Sequence, residues 1–227
     1  MFKQKSAWKF FAEKRKLRYH ANRIMESPSI SGAIDGYNIS MFTSEHSELD
    51  ARSGRRLTAI EISLHSGLSL PCAIATGGMV SVVEMLDINK EYKPNFKGWD
   101  DSYIVRVDDI PYIEAYMTED RTKKLVDLMK VDKAWIILIF LSDRGILRLD
   151  TPYPVDHPKK IDALIKQMID VAKALELEEG EEQTLQRKKS KADAENQVLH
   201  VDDDILEDEI GFELEDDAEV EVKAETK

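Results

Sequence analysis

The spacing of apolar positions changes several times along the chain and divides it into elements. Residues 6–21 contain no Gly or Pro and carry apolar side chains at helical spacing, with Ser6 placed as an N-cap. Two short β-rich runs, 29–34 and 37–42, flank Asp35-Gly36, a pair typical of a type I′ turn because both central residues need positive φ. The pattern therefore predicts a helix followed by a β-hairpin.

The middle of the chain is less regular. Residues 55–65 alternate apolar and polar positions, which predicts a third strand. Residues 73–88 combine valines typical of strands with a Glu-Met-Leu run typical of a helix, and the pattern leaves them unassigned. Residues 90–101 are predicted as a loop. A short strand follows at 103–107.

Two helices and two strands are predicted next, before a long helix. Asp109 and Thr118 are placed as N-caps, and the second of these helices covers 119–130. Residues 135–140 are apolar at every position, which predicts a central strand covered on both faces. After a turn at 142–145 and a strand at 146–149, Pro158 suits the first turn of a helix over 159–175.

This order of elements predicts an α+β fold. It lacks the regular strand–helix alternation of a parallel doubly wound sheet, so we expect a mainly antiparallel sheet packed by N-terminal, central and C-terminal helices. Apolar periodicity stops after residue 175. We therefore predict a basic amphipathic N-terminal helix in residues 1–28, an α+β domain in 29–175 and a disordered acidic tail in 176–227.

Charge is divided unevenly between the two ends. The 227 residues include 44 acidic and 32 basic side chains, for a net charge of -12. Residues 176–227 contain 20 acidic and 6 basic side chains, so this segment carries -14 and the rest of the chain +2. Residues 1–23 hold eight Lys and Arg against Glu13. One end is basic and the other is acidic.

Cysteine content and hydropathy exclude a disulfide-stabilised secreted protein and a membrane-spanning protein. Cys72 is the single cysteine, so no intramolecular disulfide can form and a reducing compartment is favoured. The longest apolar run, 134–141, has 8 residues, whereas a bilayer span needs about 20. We expect a cytoplasmic protein without a membrane span.

The passage from Tyr103 onward carries a resemblance. It combines Tyr-Ile-Val-Arg-Val-Asp-Asp, the helix start Met117-Thr118-Glu119, a hydrophobic strand, the segment Asp-Arg-Gly-Ile-Leu-Arg-Leu at 143–149 and a closing helix. Together with the hairpin at 30–42, this order resembles a loose group of bacterial α+β domains of unknown function, some attached to membrane segments. The resemblance covers about residues 8–175. It implies the fold and no site residue.

Templates for catalysis and metal binding are weak. Gly77-Gly78 lacks the following Lys and Ser/Thr of a phosphate-binding loop, so a turn or a close backbone approach is expected. The five histidines show no zinc-ligand spacing. Cys72, with His65 seven residues upstream, is the one candidate thiol site, although a buried inert cysteine is favoured. We predict no catalytic, cofactor or metal site and favour a protein that is not an enzyme, with an enzyme kept as an alternative.

The N-terminal helix is the first candidate interaction surface. Trp8 and Phe11 with Lys14 and Arg15 are predicted to bind a partner. The same residues suit an anionic membrane surface, with aromatic side chains at the headgroups and cations on phosphates. The alternative is that the aromatic side chains pack against the sheet. Nucleic acid is not expected as a partner, because the chain is acidic overall.

The acidic tail is the second candidate surface. It mixes acids with isolated large apolar residues, which a solubilising tail does not need and which can anchor a segment that folds on a partner. The predicted anchors are Ile205, Leu206, Ile210, Phe212 and Leu214.

The favoured function is a non-enzymatic cytoplasmic adaptor that binds a protein partner through this tail and the basic helix. The alternatives are a peripheral protein at the inner membrane face, and a small-ligand or enzyme domain with its site near Cys72 and His65.

Overall fold

The computed structural model describes residues 2–21, 27–46, 55–153 and 155–189. The chain divides into two units, Met1–Lys189 and Ser190–Lys227, and the second lies outside the described residues. The elements in chain order are α1 (Phe2–Arg15), β1 (Arg18–His20), β2 (Ser29–Ile34), β3 (Tyr37–His46), β4 (Arg55–Ser63), β5 (Cys72–Ala75), a 3-10 turn (Gly77–Met79), α2 (Val80–Glu84), β6 (Lys90–Glu91), β7 (Ile104–Val107), α3 (Ile110–Tyr116), α4 (Glu119–Met129), β8 (Trp135–Phe140), β9 (Gly145–Thr151), α5 (Pro158–Leu175) and a helical segment at 181–189, here α6.

A single nine-stranded sheet organises the described residues. Its strand order is β1-β2-β3-β4-β9-β8-β5-β7-β6, and every neighbouring pair is antiparallel. The helices lie against this sheet, which confirms the predicted α+β class. The hairpin is confirmed as well, because Ile34 pairs with Tyr37 and the two turn residues Asp35 and Gly36 have φ of 50° and 88°.

The main core lies between one face of the sheet and the longer helices. Strand residues such as Ile60, Leu138 and Leu147 meet α5 residues such as Ile165 and Met168 there. On the opposite face, the 3-10 turn and α2 cover β5, β7 and β8 with a smaller apolar cluster. Strand β8 lies between β9 and β5 and is covered on both faces, as its continuous apolar run predicts.

The unassigned stretch 73–88 is a strand, a 3-10 turn and a short helix. Its two glycines make room for an indole: a Cβ at Gly77 would lie 2.3 Å from Trp135 Cδ1, and one at Gly78 would lie 2.5 Å from Cζ3. The expected close approach is therefore made by the ring of Trp135. It fixes the turn onto strand β8.

The N-terminal helix is shorter than predicted. It ends at Arg15 instead of continuing to residue 21, and Lys16 adopts a φ of 57°. The backbone N–H of Leu17 donates to the carbonyl of Ala12 at 2.8 Å, which closes the helix. Residues Arg18–His20 then pair with β2 as strand β1, because the edge of β2 offers them backbone hydrogen bonds. The predicted 1–28 helical unit is therefore wrong in its extent.

The predicted boundary after residue 175 is also wrong. Residues 176–189, which we call the C-terminal strap, belong to the compact unit, and Leu185 is only 2% exposed. The sequence predicts disorder for these residues because acidic segments without apolar periodicity usually remain solvated. Here several of them accept hydrogen bonds from the body. The prediction for residues 190–227 falls outside the described residues.

Candidate functional site

Two of the predicted contact residues of the N-terminal helix are in the core. Trp8 is 0% exposed and Phe11 is 1% exposed, on the buried stripe by which α1 packs against α5, β1 and β2. The indole Nε1 of Trp8 donates to the carbonyl of Val155 at 2.9 Å. The prediction that Trp8 and Phe11 contact a partner or a membrane is therefore wrong, because their apolar surface is already covered.

The outer side of α1 is cationic. Lys3, Phe10 and Lys14 fall on one stripe of the helix, and Phe10 is 57% exposed. The guanidinium of Arg15 is engaged instead, because its Nε donates to Asp162 Oδ1 of α5 at 2.8 Å. We call the exposed cations on and after α1 the basic face. Its members are Lys3, Lys9, Lys14, Lys16 and Arg18.

The predicted anchors of the acidic tail cannot be placed. They are Ile205, Leu206, Ile210, Phe212 and Leu214, and all of them lie outside the described residues.

The strap begins with a carboxylate held by the loop after β4. Glu176 accepts hydrogen bonds from the backbone N–H of His65 at 2.8 Å and of Ser66 at 3.0 Å, and from the Ser66 hydroxyl at 2.6 Å. The His65 ring also contacts it, with Nδ1 at 3.1 Å. Burial, with a contribution from the Glu176 charge, raises the pKa of Tyr37 to about 12. This loop therefore supplies three hydrogen-bond donors to one carboxylate.

The second anchor of the strap is Glu181, paired with Arg121 of α4. Arg121 Nη2 donates to Glu181 Oε2 at 2.7 Å, and Nη1 donates to the other carboxylate oxygen. The same guanidinium reaches three carbonyls, those of Tyr116, Ala174 and Glu176. The hydrogen bond from Arg121 lowers the pKa of Glu181 below its usual value. A largely buried arginine thus ties the strap to α3, α4 and the end of α5.

A third carboxylate completes the attachment. The hydroxyl of Tyr112 donates to Glu182 at 2.7 Å, and Ser69 donates to the same group. Three strap acids are therefore bound by the body of the protein. These carboxylates already have partners within the protein and are not part of a solvated tail.

The proposed thiol site does not form. Cys72 is 1% exposed in strand β5, and burial raises the pKa of its thiol, whereas a nucleophilic cysteine needs a lowered pKa. His65 is exposed, and its ring nitrogens contact Glu176 and the carbonyl of Gly36. Cys72 has the surroundings of an inert core residue, and His65 helps to seat the strap.

Sequence reasoning missed a polar cluster around Asp150 of β9. This fully buried carboxylate accepts hydrogen bonds from Arg148 Nε at 2.7 Å and from the Ser44 hydroxyl at 2.6 Å, and His46 Nε2 lies 3.2 Å from it. Strand β4 lies between β3 and β9, and its residue in register with Asp150 is Ala59. The small side chain of Ala59 leaves space for Ser44 and His46 of β3 to contact Asp150. The i, i+2 spacing of Arg148 and Asp150 was the available signal.

This cluster is not a catalytic triad. In a triad the imidazole lies between the hydroxyl and the carboxylate, so that it can take the proton from the hydroxyl. Here Ser44 and His46 both contact Asp150, and Arg148 neutralises the carboxylate. The arrangement satisfies a buried charge and joins β3 to β9.

The described ranges contain neither a candidate metal centre nor a helix that could span a membrane. Within the part of the chain that the structure describes, no cluster of three or more His, Cys, Asp or Glu side chains is arranged to hold a metal ion. No helix among these residues has the length and apolar character needed to cross a bilayer.

Fold and contacts together define an α+β protein with a nine-stranded antiparallel sheet and a bound C-terminal strap. No protein-family model matches the chain, and no curated protein matches it. Among solved structures, it is similar to the crystal structure of the mycobacterial trehalose monomycolate transport factor A, TtfA, at 12% identity and a TM-score of 0.42. That alignment covers 76% of this chain and 96% of the other. So distant a likeness has no bearing on function.

Proposed function

We propose that the protein is a non-enzymatic association module whose residues 190–227 bind a protein partner. The observation that carries the proposal is the partition of charge at Lys189. Met1–Lys189 contains 29 acidic and 29 basic side chains, whereas Ser190–Lys227 contains 15 acidic and 3 basic ones. The whole net charge of -12 therefore belongs to residues 190–227.

The composition of this segment favours binding over simple solubilisation. Ile205, Leu206, Ile210, Phe212 and Leu214 stand among acids within ten residues of one another. Large apolar side chains at such intervals act as anchors in a partner's groove, while the surrounding negative charge speeds encounter with a basic surface. The partner is accordingly a protein with a basic, apolar-lined groove.

The basic face is the second surface of the proposal. Its cations, with the exposed ring of Phe10 between Lys3 and Lys14, suit an acidic patch on the same partner. A cytoplasmic location is part of the proposal, because a single buried thiol is stable in a reducing compartment.

A recovery experiment with three variants tests the proposal. Full-length protein is used as bait beside a deletion of residues 190–227, a variant with the five anchors changed to Ser, and a variant in which residues 190–227 are scrambled. Scrambling preserves charge and composition but changes the spacing of the anchors. We expect one partner to be recovered by the full-length protein alone, with recovery that weakens as salt is raised.

Two results would contradict this function. Equal recovery by the deletion variant would show that residues 190–227 are not the binding segment. Equal recovery by the scrambled variant would show that the segment attracts proteins through charge alone.

A further inference from the structure

A cavity of about 220 Å³ lies between the first turn of α1 and strands β3 and β4. Five of the seven described residues that line it have polar side chains: Gln4, Ser27, Thr43, Arg56 and Thr58. None of these seven residues is acidic. The lining therefore offers hydrogen-bond donors and contains no carboxylate that would compete with a ligand for them.

The hydroxyl of Thr43 is buried in this lining without a partner. In the described part of the structure, no group makes a hydrogen bond with its Oγ1. Thr43 of β3 is in register with Thr58 of β4, and in-register side chains lie about 4.5–5.5 Å apart on one face of a sheet. A buried hydroxyl that makes no hydrogen bond costs stability, so this one indicates an occupant of the cavity that supplies an acceptor.

Three further groups of the lining suit the same occupant. Thr58 is 4% exposed and accepts a hydrogen bond from Gln4 Nε2 at 3.4 Å, which leaves its hydroxyl proton to donate. Gln4 lies in the first turn of α1, which contains no acidic residue, and this end of a helix favours an anion. Arg56 donates from Nε to the exposed carboxylate of Glu45 at 2.9 Å, and its guanidinium carries further N–H donors on Nη1 and Nη2.

We propose that this cavity binds a phosphate-sized oxyanion, held by the hydroxyls of Thr43 and Thr58 at the first turn of α1. An oxyanion only accepts hydrogen bonds, and its bonds to hydroxyl and N–H donors are strong because it is charged. The cavity holds the volume of about seven water molecules, which is room for a phosphate ion or a short phosphate ester. This site is separate from residues 190–227 and does not depend on the function proposed for them.

The test is a titration of the full-length protein with phosphate, at an ionic strength kept constant with sodium chloride and followed by amide NMR shifts. Dimethyl sulfone serves as a neutral molecule of similar shape. We expect phosphate to shift the amides of Gln4, Thr43 and Thr58, and dimethyl sulfone to leave them unchanged. Glycerol 3-phosphate distinguishes two sources of the anion. If it binds more tightly than phosphate, the occupant is a phosphate ester, and if it binds more weakly, the occupant is the free ion.

Thr43→Val removes the hydroxyl at nearly constant shape and should weaken phosphate binding about tenfold. It should also raise the unfolding midpoint in phosphate-free buffer, because a buried hydroxyl without a partner is lost. Thr151→Val is the matched control, since Thr151 is in register with Thr58 on the other side and does not line the cavity. It should bind phosphate as the wild type does. The proposal is overturned if phosphate shifts no cavity residue, if dimethyl sulfone shifts the same amides equally, or if both threonine variants weaken phosphate binding equally.

Discussion

At the level of single residues, Arg121 shows how one side chain can fix a segment of the chain. Its guanidinium satisfies three carbonyls and one carboxylate and lies 4.4 Å from the centre of the Tyr116 ring. Truncation would leave these acceptors in a poorly solvated site. Leaving a buried acceptor unsatisfied costs more free energy than a solvent-exposed ion pair contributes. Removing Arg121 should therefore destabilise the protein much more than removing an exposed lysine from the same helix.

Arg121→Ala should therefore lower the free energy of unfolding by about 3 kcal/mol, since it removes the donor from a partly buried carboxylate and from three carbonyls. Urea denaturation measures the change. The control is Lys124→Ala on α4, whose exposed pair with Asp120 spans 3.9 Å and whose loss should cost less than about 0.5 kcal/mol. Similar small losses for both variants would contradict the role of Arg121.

At the level of elements, the 3-10 turn depends on its glycines because the indole of Trp135 occupies the space where side chains would be. Gly78 is the clearer case, since its backbone is not in the left-handed region and steric contact alone excludes a Cβ. Helix α2 follows this turn directly and covers the second face of β5 and β8. A substitution at Gly78 should therefore disturb the smaller apolar cluster and leave the main core intact.

Gly78→Ala should destabilise the protein by about 2 kcal/mol, the usual cost of overpacking a buried contact. Trp135→Leu, which removes the indole, should relieve that contact, so the double variant should lose less stability than the sum of the two single variants. Thermal or urea unfolding of all four proteins gives the coupling energy. Strictly additive losses would show that Gly78 and Trp135 do not share the contact.

Elements that follow from a local pattern could be predicted from the sequence, and those defined by their neighbours in the fold could not. The Asp35-Gly36 hairpin, the apolar run of β8 and the stripe of α5 were readable because each follows from a local period or turn. Strand β1 has three residues and no pattern of its own, so only its pairing with β2 defines it. The Asp150 cluster joins residues more than 100 positions apart, and local patterns do not predict which strands lie side by side.

At the level of the whole molecule, the acidic C-terminal region is divided between two units, Met1–Lys189 and Ser190–Lys227. In residues 176–189, carboxylates are seated by His65, Ser66, Tyr112 and Arg121, and the chain belongs to the compact unit. Charge composition does not separate this strap from residues 190–227, because the sequence does not show which acidic side chains find hydrogen-bond donors in the fold. The association proposal depends on placing the division at Lys189.

Thermal unfolding of two truncated proteins tests this division most directly. Removal of residues 190–227 should leave the midpoint within about 1 °C of the full-length value, because the strap and the side chains that bind its carboxylates all remain. Removal of residues 176–227 should lower the midpoint by about 10 °C, because Arg121, Tyr112 and the seat formed by His65 and Ser66 lose their carboxylates. Equal midpoints for the two truncated proteins would contradict the account.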